Sequence, residues 1–230
     1  MTTRLSHALF DLGEDWLIIE NAAKFAFPTG STWTSLSEIK LSDRNGLSAG
    51  NIDYVIVSYN PLTHKILDFA SVEVQGVYIS GNLRNAFEEY MSHPSSDFVW
   101  RGNNPHPDYL SSSRKRLIPQ MLYKGGIFKA WGKKQCVVIQ DSFYRTLPEL
   151  PEVPMESADI AWFLYDLIYD AKDKMYHLTL VRTVYTEFTQ ALRIVTTPKV
   201  GDIDNFVQLL QTKLDEKQEI TPEKPKIIEF

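Results

Sequence analysis

A single cysteine, Cys136, occurs in 230 residues. That excludes an intrachain disulfide and any metal centre built from several cysteines. Its setting, Gln135-Cys136-Val137-Val138-Ile139, is that of a buried strand residue. No apolar run approaches the roughly 18 residues that span a bilayer. The start, Met1-Thr2-Thr3-Arg4-Leu5-Ser6-His7, carries no apolar stretch of the signal-peptide kind. A cytoplasmic protein without a membrane partner is the expectation. The five histidines, His7, His64, His93, His106 and His177, show no paired metal spacing. Gly-rich phosphate loops, paired-histidine zinc helices and nucleophile elbows are missing as well.

An excess of positive charge is also lacking: the formal net charge is −5. The distribution matters more than the sum. Between Arg101 and Lys134 stand eight basic residues and one acid, Asp108. Arg101, Arg114, Lys115, Arg116, Lys124 and Lys129 are the candidates for DNA phosphate contacts. A solvated helix face is the plain alternative for Arg114-Lys115-Arg116.

What is present is an ordinary globular composition, 43% hydrophobic and 23% charged. Apolar spacing predicts helices over Glu14–Phe27, Ser35–Ser42, Leu83–Met91, Ser111–Tyr123 and Asp202–Lys217, with Pro119 breaking the fourth. Strands are predicted over Ile52–Tyr59, Ile66–Ile79 and Gln135–Gln140. An antiparallel hairpin is predicted from Ile160–Tyr169 and Tyr176–Phe188, although the first arm also reads as a helix. Leu147–Pro154 is a proline-rich loop. The order indicates an α/β domain of the mixed α+β kind, a central mixed sheet flanked by helices. One domain over 1–230 is expected, with a basic, loop-rich segment at about 94–134 and a loosely held tail at about 218–230.

The chemistry concentrates between Ser35 and Gln75. Residues two apart on a strand face the same way, so Glu73 and Gln75 project together. Polar side chains in a β-branched interior strand are costly without partners, and a hydrated divalent cation satisfies them. Mg²⁺ takes one or two carboxylates and keeps several waters. Asp53 and Glu73, from neighbouring strands, converge on such an ion, and the Val74 carbonyl adds a neutral oxygen. Gln75 is suited to hold a water. Each residue has a plainer reading: Asp53 as a strand start, Glu73 in a structural ion pair with an arginine, Gln75 bonded to backbone. Glu38 in Ser35-Leu36-Ser37-Glu38 fits a helix capping box.

An Asp on one strand followed by Glu-x-Gln on the next resembles the PD-(D/E)XK nuclease core, with Gln in place of the usual Lys. The longer string is more specific. Glu38, then Ala49-Gly50-Asn51-Ile52-Asp53-Tyr54-Val55, then Val72-Glu73-Val74-Gln75 resembles the NotI type of restriction endonuclease. The resemblance implies a catalytic set of Glu38, Asp53, Glu73 and Gln75, and metal ligation by Asp53, Glu73, Val74 and Glu38. It implies Mg²⁺ as cofactor, with Mn²⁺ able to substitute, double-stranded DNA as substrate, and a homodimer matching a palindromic site. The NotI type is associated with an iron site built from several cysteines, which one cysteine rules out here. Two rival readings are a catalytically silent DNA-binding protein on the same scaffold and a glycosidase using paired carboxylates.

Overall fold

The computed structural model describes residues 15–93, 99, 105–172 and 175–220. Arg101 and the tail beyond residue 220 lie outside the described residues. The chain forms two compact units, residues 1–196 and residues 197–230.

Helix α1, Asp15–Ala26, buries Ile18, Ile19, Ala22, Ala23 and Phe25. Pro28 and Gly30, the latter at φ +86°, end the run. Three antiparallel strands follow: β1 (Trp33–Ser42), β2 (Ser48–Tyr59) and β3 (Ile66–Gln75). Their turns are closed by side chains. Asp43 Oδ1 accepts the amides of Asn45 and Leu47, and Asn60 Oδ1 those of Leu62 and Thr63.

The helix expected over Ser35–Ser42 is therefore a strand. Leu36 and Ile39, three apart, imitate helical spacing, yet both pair with β2. The strand expected over Ile66–Ile79 also stops early, at Gln75. A separate short strand, β4 (Tyr78–Ser80), pairs with β5 (His106–Asp108) in a second sheet. Helix α2 (Leu83–Ser92) is capped by Asn82, whose side chain accepts from Arg84 and Asn85.

Residues 109–130 form one helical run, α3, in five segments. Tyr109–Ser112, Ile118–Gln120 and Gly126–Ala130 are α; Ser113–Leu117 and Met121–Gly125 are π. Pro119 sits between the two π turns. It has no amide to donate, and its ring crowds the carbonyl four residues back. Widened turns on either side let the run continue.

The chain then returns to the sheet as β6 (Gln135–Gln140), parallel to β3. A short helix, α4 (Asp141–Tyr144), and the proline-rich loop lead to β7 (Ile160–Asp170), parallel to β6. The first arm of the expected hairpin is thus a strand, and β8 (Met175–Thr186) closes it. Phe188 does not continue β8. It starts α5 (Phe188–Thr196), which the pattern reading missed. The second unit contains α6, Ile203–Ile220.

The main sheet is mixed, in the order β1-β2-β3-β6-β7-β8. One face packs on α1 through Ile56, Ala70, Val72, Cys136, Val138 and Phe163. The other packs on α3 and α5 through Val137, Ile139, Trp162, Val184, Leu117, Met121 and Phe188. Fully burying side chains of this size contributes roughly 1.5–3 kcal/mol each. Strand alternation sends Val72 toward α1, so Ser71 and Glu73 face the α3 side. That one register choice puts a carboxylate under a helix.

Candidate active site

The last paired residues of β2 and β3 at this end are Tyr54 and Val72. One step further along, Asp53 reaches the end of β3, where its Oδ2 accepts the Val74 amide at 2.8 Å. Asp53 thus lies inside β2 rather than at its start, and held this way it cannot swing into solvent without losing a charge-assisted hydrogen bond. On the outer strand, Ser37 pairs with Tyr54 and Ile39 with Ile52, so Glu38 lies across from Asp53. Glu38 is exposed and has φ +53°, the left-handed region that disfavours a side chain. No helix exists for it to cap.

Glu73 is the most enclosed acid of the set. Both its oxygens accept from Lys124 Nζ at 2.8 Å, and the side chains are 15% and 10% exposed. Lys124 also donates to the Asn51 carbonyl at 2.6 Å. The structural ion pair anticipated for Glu73 thus exists, but with a lysine 51 residues downstream rather than an arginine.

Next to Lys124, Gly125 packs tightly against the side chains of Phe188 and Gln135. A Cβ on Gly125 would stand 2.7 Å from Phe188 Cε2 and 2.8 Å from Gln135 Oε1, so any other residue here would push those side chains aside. The Gly125 carbonyl in turn accepts from the side-chain Nε2 of Gln135 at 3.1 Å. Gly50, at φ +108°, sits against the Lys124 stem, where a Cβ would meet Cε at 3.4 Å. No local pattern in the sequence points to this, since Lys124-Gly125-Gly126 lies just past the helix expected over Ser111–Tyr123. From sequence, Lys124 is a candidate phosphate contact or part of a solvated surface.

The electrostatics are unfavourable as they stand. Burial pushes the Glu73 carboxyl up to about 7, with Lys124 opposing the shift and Asp53 adding to it. Burial also raises Asp53, against the Val74 amide and Lys124, and with a further push from Glu38. Desolvation therefore outweighs the ion pair. One ammonium faces two enclosed carboxylates and a third nearby.

Gln75 is buried, and its Nε2 donates to the Gly76 carbonyl at 2.9 Å. Val74 engages Asp53 through its amide. Among the described residues, no group of three or more His, Cys, Asp or Glu side chains stands close enough to share a metal ion. The donor chemistry of Asp53 and Glu73 nevertheless fits a hard divalent cation: two carboxylates, both raised by burial and short of positive charge. An open cleft of about 340 Å³ lies beside Lys124, lined by Ala49, Gly50, Asn51, Pro119, Gln120, Tyr123 and Lys124 itself.

The basic stretch does not stay together. Arg114 and Lys115 are exposed. Arg116 lies over the Tyr78 ring, 3.9 Å from its centre, and donates to the Tyr78 hydroxyl. Lys129 pairs with Asp159 at 2.7 Å and Lys133 with Asp68 at 2.6 Å. Lys134 donates to the Ala158 carbonyl at 2.8 Å. His106 faces Ser80 Oγ at 2.8 Å.

Residues 8–178, well over half of the chain, match the family model described as restriction endonuclease NotI. That span contains Glu38, Asp53, Glu73, Gln75 and Lys124. No curated protein matches the chain.

Proposed function

Because the chain belongs to the NotI restriction endonuclease family, we propose that it cleaves double-stranded DNA at a specific sequence in a Mg²⁺-dependent reaction, using a PD-(D/E)XK type of site. The observation that carries this reading is the pair Asp53 and Glu73, brought together at one end of β2 and β3 and held short of countercharge. In this reading Asp53 and Glu73 hold the ion, with Glu38 and the Val74 carbonyl as outer candidates. When bound, Mg²⁺ supplies charge against the phosphoryl oxygen and lowers the pKa of a water in its shell.

The protein's own groups do the positioning. The Val74 amide fixes Asp53 Oδ2, and the strand register fixes Glu73 beside it. Gln75, tied to the Gly76 carbonyl, steadies the end of β3 where the chain leaves the sheet. Exposed Arg114 and Lys115 supply phosphate contacts that orient the duplex without reading its sequence. Two copies acting on a palindromic site would place one such centre on each strand.

The test is incubation with plasmid and genomic DNA, with Mg²⁺ and with chelator. Discrete fragments that vanish with chelator are expected. DNA shifted in a gel but left intact under both conditions would instead make this a silent binding protein. DNA neither cut nor shifted would reject the nuclease reading.

A further inference from the structure

Position 75 offers no cation, because Gln is neutral. A cation is present all the same. Lys124 Nζ lies 2.8 Å from both oxygens of Glu73 and 2.6 Å from the Asn51 carbonyl, on a side chain only 10% exposed. Its stem lies against Gly50, and the next residue in the chain, Gly125, sits where a Cβ would collide with the side chains of Phe188 and Gln135.

An ordinary structural ion pair uses up its carboxylate and asks for nothing more. This one sits beside a second enclosed carboxylate, Asp53, whose own fixed partner is a single backbone amide at 2.8 Å. An ammonium coordinating both Glu73 oxygens occupies the lone pairs that a hard cation would use. The two cations are mutually exclusive there, because like charges within a few ångströms of each other in a poorly solvated site repel strongly.

We propose that Lys124 is the resident cation of the site, competing with a divalent metal ion for Glu73 and leaving that carboxylate when the ion binds. The inference rests on the metal reading of Asp53 and Glu73 given above. Lys124 then acts as a positioning residue. It keeps Glu73 aimed into the site while the site is metal-free, and afterwards its ammonium remains next to the open cleft lined by Asn51, Gln120 and Tyr123.

The experiment is Mn²⁺ titration of the full chain without DNA, followed by electron paramagnetic resonance of the free ion. Wild type, Lys124→Met and Asp53→Asn are compared. Lys124→Met is expected to bind Mn²⁺ on the order of tenfold more tightly, since a competitor and a like charge are both gone. Asp53→Asn is expected to bind more weakly than wild type. Equal or weaker Mn²⁺ binding by Lys124→Met, with Asp53→Asn still impaired, overturns the competition while leaving the metal site standing. No Mn²⁺ binding by wild type or Lys124→Met overturns both.

Losing Lys124 strips Glu73 of its partner and can compromise folding, so a second measurement uses the unaltered protein. Acetic anhydride labelling is read by mass spectrometry with and without Mg²⁺. Lys124 labelling is expected to rise several-fold relative to Lys24 on adding Mg²⁺, and not to rise in Asp53→Asn. Labelling of Lys124 that ignores Mg²⁺ in wild type overturns the proposal.

Discussion

Two lysines on α3, Lys124 and Lys129, each hold a carboxylate, and the two pairs behave differently. Asp159 accepts from Lys129 at 2.9 and 2.7 Å and also from the Phe188 amide at 2.9 Å, the first amide of α5. Lys129 is 43% exposed, so that pair is partly hydrated. Every lone pair in use there serves the fold, joining α3, β7 and α5. Glu73 is deeper, lies beside Asp53, and is raised to about 7. The same residue types on one helix thus give a structural tie at one end and an electrostatically strained cluster at the other. Burial and a like-charged neighbour make the difference, and strain of this kind is what a functional site stores.

The largest expected effect separates the two carboxylates by role. Asp53→Ala or Glu73→Ala should reduce Mg²⁺-dependent cleavage by at least about a thousandfold, since metal-assisted stabilisation is worth several kcal/mol. Asp159→Ala should instead lower stability by about 1–2 kcal/mol, through loss of the α5 amide acceptor and the Lys129 tie. Plasmid cleavage rates together with denaturant titrations read both effects. Full cleavage by Asp53→Ala would remove that residue from the site.

Next comes a stability difference that depends on pH. The folded Glu73 carboxyl is raised from 4.5 to about 7, so the folded state binds its proton more tightly than the unfolded chain does. The resulting stabilisation is fully present below about pH 4.5 and is lost as pH rises through about 7. Its ceiling is about 3 kcal/mol. Glu73→Gln mimics the protonated side chain and should lack this dependence. In chelator, the variant should gain on wild type in Tm between pH 5 and pH 8. Parallel Tm profiles would mean that Glu73 is not strained by its surroundings.

A third variant breaks the geometry that brings Lys124 in. Gly125→Ala puts a methyl group against Phe188 and Gln135, and overpacking of this kind costs about 1–3 kcal/mol. Cleavage per folded molecule should fall as well, because α3 must move away from β6 and take Lys124 with it. Retained stability and full activity together would mean that the close approach is unimportant.

The smallest effect concerns the exposed cations on the same helix. Replacing Arg114 and Lys115 with Ala should weaken binding to all DNA sequences alike. It should flatten the log–log salt dependence by about 0.9 for each lost phosphate contact. An unchanged slope would assign both to the solvated surface.

Much of this was determined by the sequence itself. The strands around Asp53, Glu73, Cys136 and Trp162 follow from β-branched and aromatic runs, and the order of elements indicated a mixed sheet with helices. The local string Asn51-Ile52-Asp53 and Glu73-Val74-Gln75 was enough to bring out the NotI resemblance, because both halves lie on neighbouring strands joined by a short turn. Strand β1 was illegible, since its apolar residues at 36, 39 and 41 break the two-residue period at Glu38, where φ turns positive. Helix α3 was only partly legible, because π turns around Pro119 follow no simple spacing. Lys124 was beyond reach of any local pattern. Its partner lies 51 residues away, and whether a lysine meets phosphate or a buried carboxylate depends on how closely a helix packs on a sheet. Tertiary structure decided that, through the packing of α3 at Gly125, where a Cβ would collide with the side chains of Phe188 and Gln135.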